Sequence, residues 1–201
     1  HSGDELAGGL TGRSIIDSLG VVPLINAGGP NTKHSGSRPR PEAIEAMEAM
    51  SEVFVDMDDL LLAAGERIAE LTGNEAATIT SGASGGLVVQ AAAAMAKDDP
   101  ARIKQLPITD GMPSELIIQR GHRFVYDHLY LGPGSSFVEV GRPTDCTIEE
   151  IEAAIGPNTA GVIHLESPFK EGLGVPLPDL ADIAHSHGLP VLADCASMLP
   201  P

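Results

Sequence analysis

From residue 76 onward the chain alternates between short apolar runs of strand length and longer stretches with helical spacing. Strand-like runs at Ala76–Thr80, Glu115–Gln119, Ser136–Val140, Ala160–Leu165 and Pro190–Ala193 take turns with helical patterns at Ala83–Ala96, Val125–Leu131, Ile148–Ile155 and Pro178–His187. Such alternation predicts an α/β fold with a mostly parallel sheet covered by helices on both faces. Thr147, with Glu150 three positions on, predicts a capping box in front of its helix. In a sheet of this type ligands gather outside the carboxyl ends of the strands.

Upstream the pattern is helical and then thins out. Pro41 and Glu42 open an Ala/Met-rich helix to about Met50, and a second helix from about Met57 places Leu60, Leu61, Ala64, Ile68 and Leu71 on one side, with Gly73 as its closing residue. His1–Gly20 is Gly-rich and mixed, with a short helix expected over Ser14–Leu19, and Val21–Asn26 runs into the turn-like Ala27-Gly28-Gly29-Pro30. Residues 1–25 therefore read as an arm, and 26–201 as a single α/β domain. The stretch Lys97–Ser114, with three prolines and Asp98-Asp99, interrupts the rhythm as a long loop, either functional or a surface decoration.

Composition narrows the possibilities. With 201 residues and 42% apolar content the chain can bury a substantial core. No apolar run reaches the roughly 18 residues of a membrane span, and the start lacks the basic-then-apolar order of a signal peptide, so a cytoplasmic location is expected. Cys146 and Cys195 show no metal-type spacing, which fits a reducing compartment, and His185 and His187, two apart, do not share a helix face. A net charge of −16 argues against a sequence-independent grip on nucleic acid. What positive charge exists is concentrated at Lys33, Arg38 and Arg40 beside His34, either a receptor for an anionic substrate group or a solvated basic loop.

Two distant segments carry the candidate chemistry. Ser81, Gly82, Ala83 and Ser84, followed by Gly85 and Gly86, place small residues and hydroxyls between an apolar run and a helix, an arrangement that turns backbone N–H groups toward a phosphate. The alternative is a tightly packed Gly/Ser helix entry. Asp194 ends the apolar run Val191-Leu192-Ala193, where an unpartnered carboxylate is costly. A protonated pyridine nitrogen is one suitable partner and the N–H groups of a following turn are another. Together the segments point to pyridoxal 5'-phosphate, whose ring acts as an electron sink when its nitrogen is held protonated. Ala196 is small enough to lie against a ring face, and His122 could stack on the other face or be a polar rim residue; Tyr126 and His128 are weaker alternatives. His164 and Glu166, flanking Leu165, either face the site or serve the strand edge.

In order along the chain, Asn26-Ala27-Gly28-Gly29, Ala64 to Gly73, Thr80 to Ser84, Ile117 to Arg123 with Tyr126-Asp127-His128, Val138 to Gly141, and Leu189 to Asp194 resemble the selenocysteine-synthase-like pyridoxal-phosphate enzymes, most of all their D-glucosaminate-6-phosphate ammonia-lyase-like branch. The resemblance covers about Val21 to the end. It implies the fold type I aminotransferase large domain, a homodimer or higher homo-oligomer, and a lyase eliminating a β-substituent and releasing ammonia from an amino acid or amino sugar acid. A transferase or racemase on the same scaffold, or a non-catalytic assembly module, are the alternatives. By position, Ser81 to Ser84 would hold the cofactor phosphate, His122 would approach the ring and Asp194 would pair with the pyridine nitrogen; the concentrated charge of Lys33 and Arg38, apart from the resemblance, would suit an acidic or phosphorylated substrate tail. The family's Schiff-base lysine belongs downstream of Asp194, where this sequence has none, so the chain reads as truncated before the C-terminal part of that domain, and the tRNA reaction of selenocysteine synthases is not expected of it.

Overall fold

The computed structural model describes residues 11–29 and 32–198; the first ten residues of the expected arm and Pro30 of the expected turn lie outside them. The chain divides into two compact units, His1–Met57 and Asp58–Pro201. The first unit holds α1 (Gly12–Ser18), a 3-10 turn at Thr32–His34 and α2 (Pro41–Met50). Thr11 caps α1 through a capping box with Ser14, so the helix starts earlier than the apolar pattern alone predicts. No described residue of this unit is buried.

The second unit is built around one sheet. Strands β1 (Glu115–Gln119), β2 (Ser136–Val140), β3 (Thr159–Leu165) and β4 (Val191–Asp194) lie in the order β2-β1-β3-β4, all parallel. Along each strand successive side chains go to opposite faces. Leu116, Ile118, Ile163 and Leu192 pack with Leu87, Ala91 and Met95 of α4 (Ala83–Ala96), while Ile117, Val162 and Val191 meet α6 (Ile148–Ala154) and α7 (Leu177–Ser186). The central strands β1 and β3 are thus buried on both faces, as a doubly covered parallel sheet requires, while the edge strand β2 stays partly exposed. The capping box ahead of α6 forms, Thr147 Oγ1 accepting from Glu150 N–H while the Glu150 carboxylate accepts from Thr147 N–H.

Two expectations are corrected. Ala76–Thr80 is extended but joins no ladder among the described residues; it lies instead under α3 (Met57–Thr72), where a Cβ at Gly65 would collide with the Ala77 carbonyl. An extended run becomes a strand only when a neighbour takes its hydrogen bonds. The insertion Lys97–Ser114 is not wholly loop, since it carries the helix α5 (Pro100–Gln105). Asp99 Oδ1 accepts from the N–H groups of Ala101 and Arg102 at 2.9 and 3.3 Å, and Pro100 occupies the first helical position.

The direction of α4 follows from what its two ends meet. Its last turns, at Gln90, Ala93, Ala94 and Lys97, line an apolar cleft of about 570 Å³ with Pro190 and Val191, at the amino end of β4. The first turn of α4 therefore points toward the carboxyl ends of the strands.

Candidate functional site

Ser81, Gly82, Ala83 and Ser84 are exposed at this first turn. Gly82 occupies the N-cap with φ +102 and ψ 178, a conformation essentially restricted to glycine, and offers no side chain to cap the helix. The amides of the first turn are left for a ligand, and the helix dipole adds an attraction for negative charge of about 0.3–1 kcal/mol. Thr80 Oγ1 donates to the Gly82 carbonyl at 2.8 Å and fixes the bend. A Cβ at Gly85 would press to 2.9 Å from Ser81 Oγ, so the glycine keeps the hydroxyl's space clear.

Asp194 stands at the carboxyl end of β4, 8% exposed, and its Oδ1 accepts from Ala196 N–H at 3.0 Å. It follows Leu192 by two residues, so it shares the face that Leu192 gives to α4. The phosphate-type cradle and the buried carboxylate consequently lie on one face and at one end of the sheet. A group with an anion at one end and a protonatable ring nitrogen at the other fits this donor set: bare helix amides, two hydroxyls, and a largely buried carboxylate in need of a cation. Ala196 sits in the turn after β4.

His122 is placed differently from the expected ring contact. It ends the 3-10 turn Arg120–His122, is 2% exposed, and has both ring nitrogens engaged by backbone. Leu165 N–H donates to Nδ1 at 3.2 Å and Nε2 lies 2.6 Å from the Leu173 carbonyl, which makes Nε2 the protonated nitrogen of a neutral imidazole. Burial lowers its pKa, and the neighbouring His164 and Lys170 charges act in the same direction. Its ring nitrogens are thus committed to backbone, and what remains of its surface borders a cavity beneath the loop that follows β3.

His164 follows Val162 by two and so faces α6 and α7, away from Asp194. Its ring meets that of His122 edge-on, with centroids 4.5 Å apart, and its Nε2 pairs with Glu166 Oε2 at 3.1 Å. Burial lowers its pKa, with Glu166 opposing. His122, His164, Glu166, Ser167 and Lys170 line a cavity of about 350 Å³ beneath the loop joining β3 to α7.

The sequence reading missed the residues that secure this loop. Gln119, fully buried, clamps Val175 in both directions, accepting its N–H at 2.7 Å and donating to its carbonyl at 3.3 Å. Lys170 Nζ donates to the carbonyls of Gly121 and Arg123 at 2.7 and 3.0 Å. A glutamine ending an otherwise apolar strand was the available signal for the first; nothing local marks the second. Tyr126 and His128 are exposed, and His185 falls in the last turn of α7 with His187 as its C-cap. Lys33 lies in the 3-10 turn of the first unit and Arg38 in the segment before α2, both exposed. Among the described residues no group of three His, Cys, Asp or Glu side chains could hold a metal ion, and no helix is long and apolar enough to cross a membrane.

Comparison with known proteins bears on the family and the fold. Residues 128–200 match the DegT/DnrJ/EryC1/StrS aminotransferase family. The chain is 34% identical over 186 residues to a 5'-C-glycyluridine monooxygenase-decarboxylase of Streptomyces sp, covering 89% of this chain and 46% of that protein. It is 33% identical over 190 residues to the D-glucosaminate-6-phosphate ammonia lyase of Salmonella typhimurium (strain 14028s / SGSC 2262), covering 92% and 51%. A solved structure of a D-glucosaminate-6-phosphate ammonia-lyase superposes with a TM-score of 0.87 at 31% identity, over 92% of this chain and 52% of that one. The chain spans about half the length of the relatives it matches. The expected likeness to the ammonia-lyase branch and the expected aminotransferase-type α/β fold are both borne out.

Proposed function

We propose, from the aminotransferase-family segment at residues 128–200 and the fold shared with an ammonia-lyase, that this chain supplies the cofactor-holding part of a pyridoxal-phosphate-dependent lyase. Its substrate is an amino acid or amino sugar acid, and the reaction releases ammonia. The observation that carries the reading is the placement of the α4 amide cradle and the Asp194 carboxylate on the same face and at the same end of the sheet. Bound between them, pyridoxal phosphate would supply a ring that withdraws electrons from the substrate's α-carbon. The amides and hydroxyls of Ser81 to Ser84 hold the phosphate, and Asp194 keeps the ring nitrogen protonated. Ala196 borders the ring, and His122 holds the rim through its two backbone partners. Lys170, its ammonium held by two carbonyls, is not the cofactor's amine partner. The working form is a homodimer or larger homo-oligomer, cytoplasmic, with no nucleic-acid partner.

A second reaction type is favoured by one finding: the Streptomyces relative, equally similar, is a monooxygenase-decarboxylase. The cofactor cradle is then the shared part, and the bond broken is chosen elsewhere. The test begins with binding, because both readings require it. Titration of the chain with pyridoxal phosphate should give saturable binding that Asp194→Ala weakens by at least about tenfold, as expected for losing a buried charge-assisted hydrogen bond. Equal affinity for wild type and Asp194→Ala refutes the site. Release of ammonia, as against carbon dioxide, from amino sugar acids then separates the two reactions.

A further inference from the structure

Tyr130 is fully buried, and its hydroxyl oxygen has no hydrogen-bond partner among the described residues. It comes from the 3-10 turn Asp127–Leu131, which packs on α4, and it belongs to the apolar cluster that contains Leu87 of α4 and Leu192 of β4. Leu87 lies one turn into α4 from the Ser81 to Ser84 cradle. Leu192 is two residues before Asp194 and on the same face of the strand. Tyr130 is therefore packed under the floor of the candidate cofactor site, between the start of α4 and the acidic end of β4. A buried phenol left without an acceptor is destabilising, so an acceptor should be within reach of a small side-chain rotation.

Two carboxylates act on this phenol. Burial raises its pKa well above the ordinary tyrosine value, and the negative charges of Asp194, Cys195 and Asp127 add to the effect in that order. Asp127 is already committed, accepting from Phe124 N–H at 3.0 Å and from the Arg123 guanidinium at 3.2 Å. Asp194 has one oxygen occupied by Ala196 N–H, and a carboxylate has about four acceptor positions.

We propose that the Tyr130 hydroxyl donates to the Asp194 carboxylate from beneath and is a positioning residue, fixing the plane in which that carboxylate meets its cationic partner. The pairing is a property of the protein alone; only its consequence for a bound cofactor rests on the function proposed above. Replacing Tyr130 removes no group that touches ligand, yet it frees the carboxylate to rotate.

The chain has two tyrosines and no tryptophan, so Tyr126→Phe, a change at an exposed position, leaves Tyr130 as the sole tyrosine. In that background the Raman Fermi doublet of the phenol should show a strong hydrogen-bond donor, and the signature should be lost in Asp194→Ala. An unbonded phenol in the first protein, or an unchanged signature in the second, overturns the pairing. A double-mutant cycle gives an independent reading. Tyr130→Phe should lower the folding equilibrium constant about tenfold in the wild-type chain and leave it unchanged or raised in Asp194→Ala. A neutral or stabilising Tyr130→Phe in the wild-type chain overturns the proposal, because deleting an unsatisfied hydroxyl has that result. Positive Raman and cycle results in a protein that binds no pyridoxal phosphate would support the pairing while refuting the cofactor reading.

Discussion

Replacing His122 with phenylalanine separates a ring that stacks on a cofactor from a ring that holds the fold. Phenylalanine keeps an aromatic ring of similar size but has no nitrogens. Leu165 N–H then loses its acceptor and the Leu173 carbonyl its donor, both inside the protein. Leaving a buried polar group unsatisfied costs about 1–3 kcal/mol, so the pair amounts to about 2–6 kcal/mol and the expected loss is about 3. With a urea dependence of about 2 kcal/mol per molar, the unfolding midpoint should fall by about 1.5 M at pH 8, followed by far-UV circular dichroism. The acid limb should change as well. His122 and His164 have pKa values below the ordinary imidazole value, chiefly through burial, with Lys170 and Glu166 facing the His122 ring and Glu166 facing His164. Between the lowered folded value and about 6.5 the unfolded chain binds more protons, so stability is present above that window and is lost as pH falls through it. Each histidine contributes a slope of at most about 1.4 kcal/mol per pH unit there. His122→Phe should keep only the His164 part. A midpoint within about 0.3 M of wild type, with the acid limb undiminished, would refute the latch and return His122 to the ring-facing role.

Two further predictions bear on the cradle and on the frame that carries it. Gly82→Ala forces a side chain into a glycine-only conformation at a cost of about 1–3 kcal/mol, which the turn relieves by rotating its amides. The pyridoxal phosphate dissociation constant should rise about tenfold by absorbance titration, and an unchanged value would exclude these amides from the phosphate site. Thr147→Ala removes the α6 capping box and should cost about 1 kcal/mol in urea unfolding while leaving cofactor affinity unaltered. A shift in that affinity would show that α6 is coupled to the site.

The sheet was legible because its central strands are buried on both faces and every strand carries a short apolar run between turn residues. Glu115–Gln119 and Ser136–Val140 are found with the bounds their apolar runs predict, as are the helices Pro41–Met50 and Ala83–Ala96. Local chemistry sufficed there: proline or glycine at the helix starts and turn residues between elements. It did not suffice for Ala76–Thr80, whose pattern is strand-like but whose fate depends on a neighbour that no local signal supplies. Asp194 and the Gly82 turn were readable because a carboxylate at a buried strand end and glycines at a helix entry are conspicuous by residue type. The backbone partners of His122 were not legible because Leu165 and Leu173 are 43 and 51 residues away in the chain. A histidine with two backbone partners and one with a ring partner look the same in sequence. Lys170, Gln119 and Tyr130 went unseen for the same reason.

The two faces of the sheet divide the work at its carboxyl rim. On the α4 side stand the groups suited to touching a ligand, the Ser81 to Ser84 turn and Asp194; on the α6 and α7 side stand Gln119, His122 and Lys170, all spent on backbone carbonyls and amides. The faces communicate through main chain. Leu165, whose N–H is fixed by His122, is the register partner of Asp194, and Glu166 N–H donates to the Asp194 carbonyl at 2.9 Å. The direction of the Asp194 side chain is thereby set by a backbone anchored on the opposite face. A carboxylate on an edge strand with only side-chain contacts could swing by a rotamer, whereas one whose backbone is pinned through β3 to the end of β1 has only its last torsions to settle. Those torsions are what the Ala196 N–H and the Tyr130 hydroxyl are placed to fix.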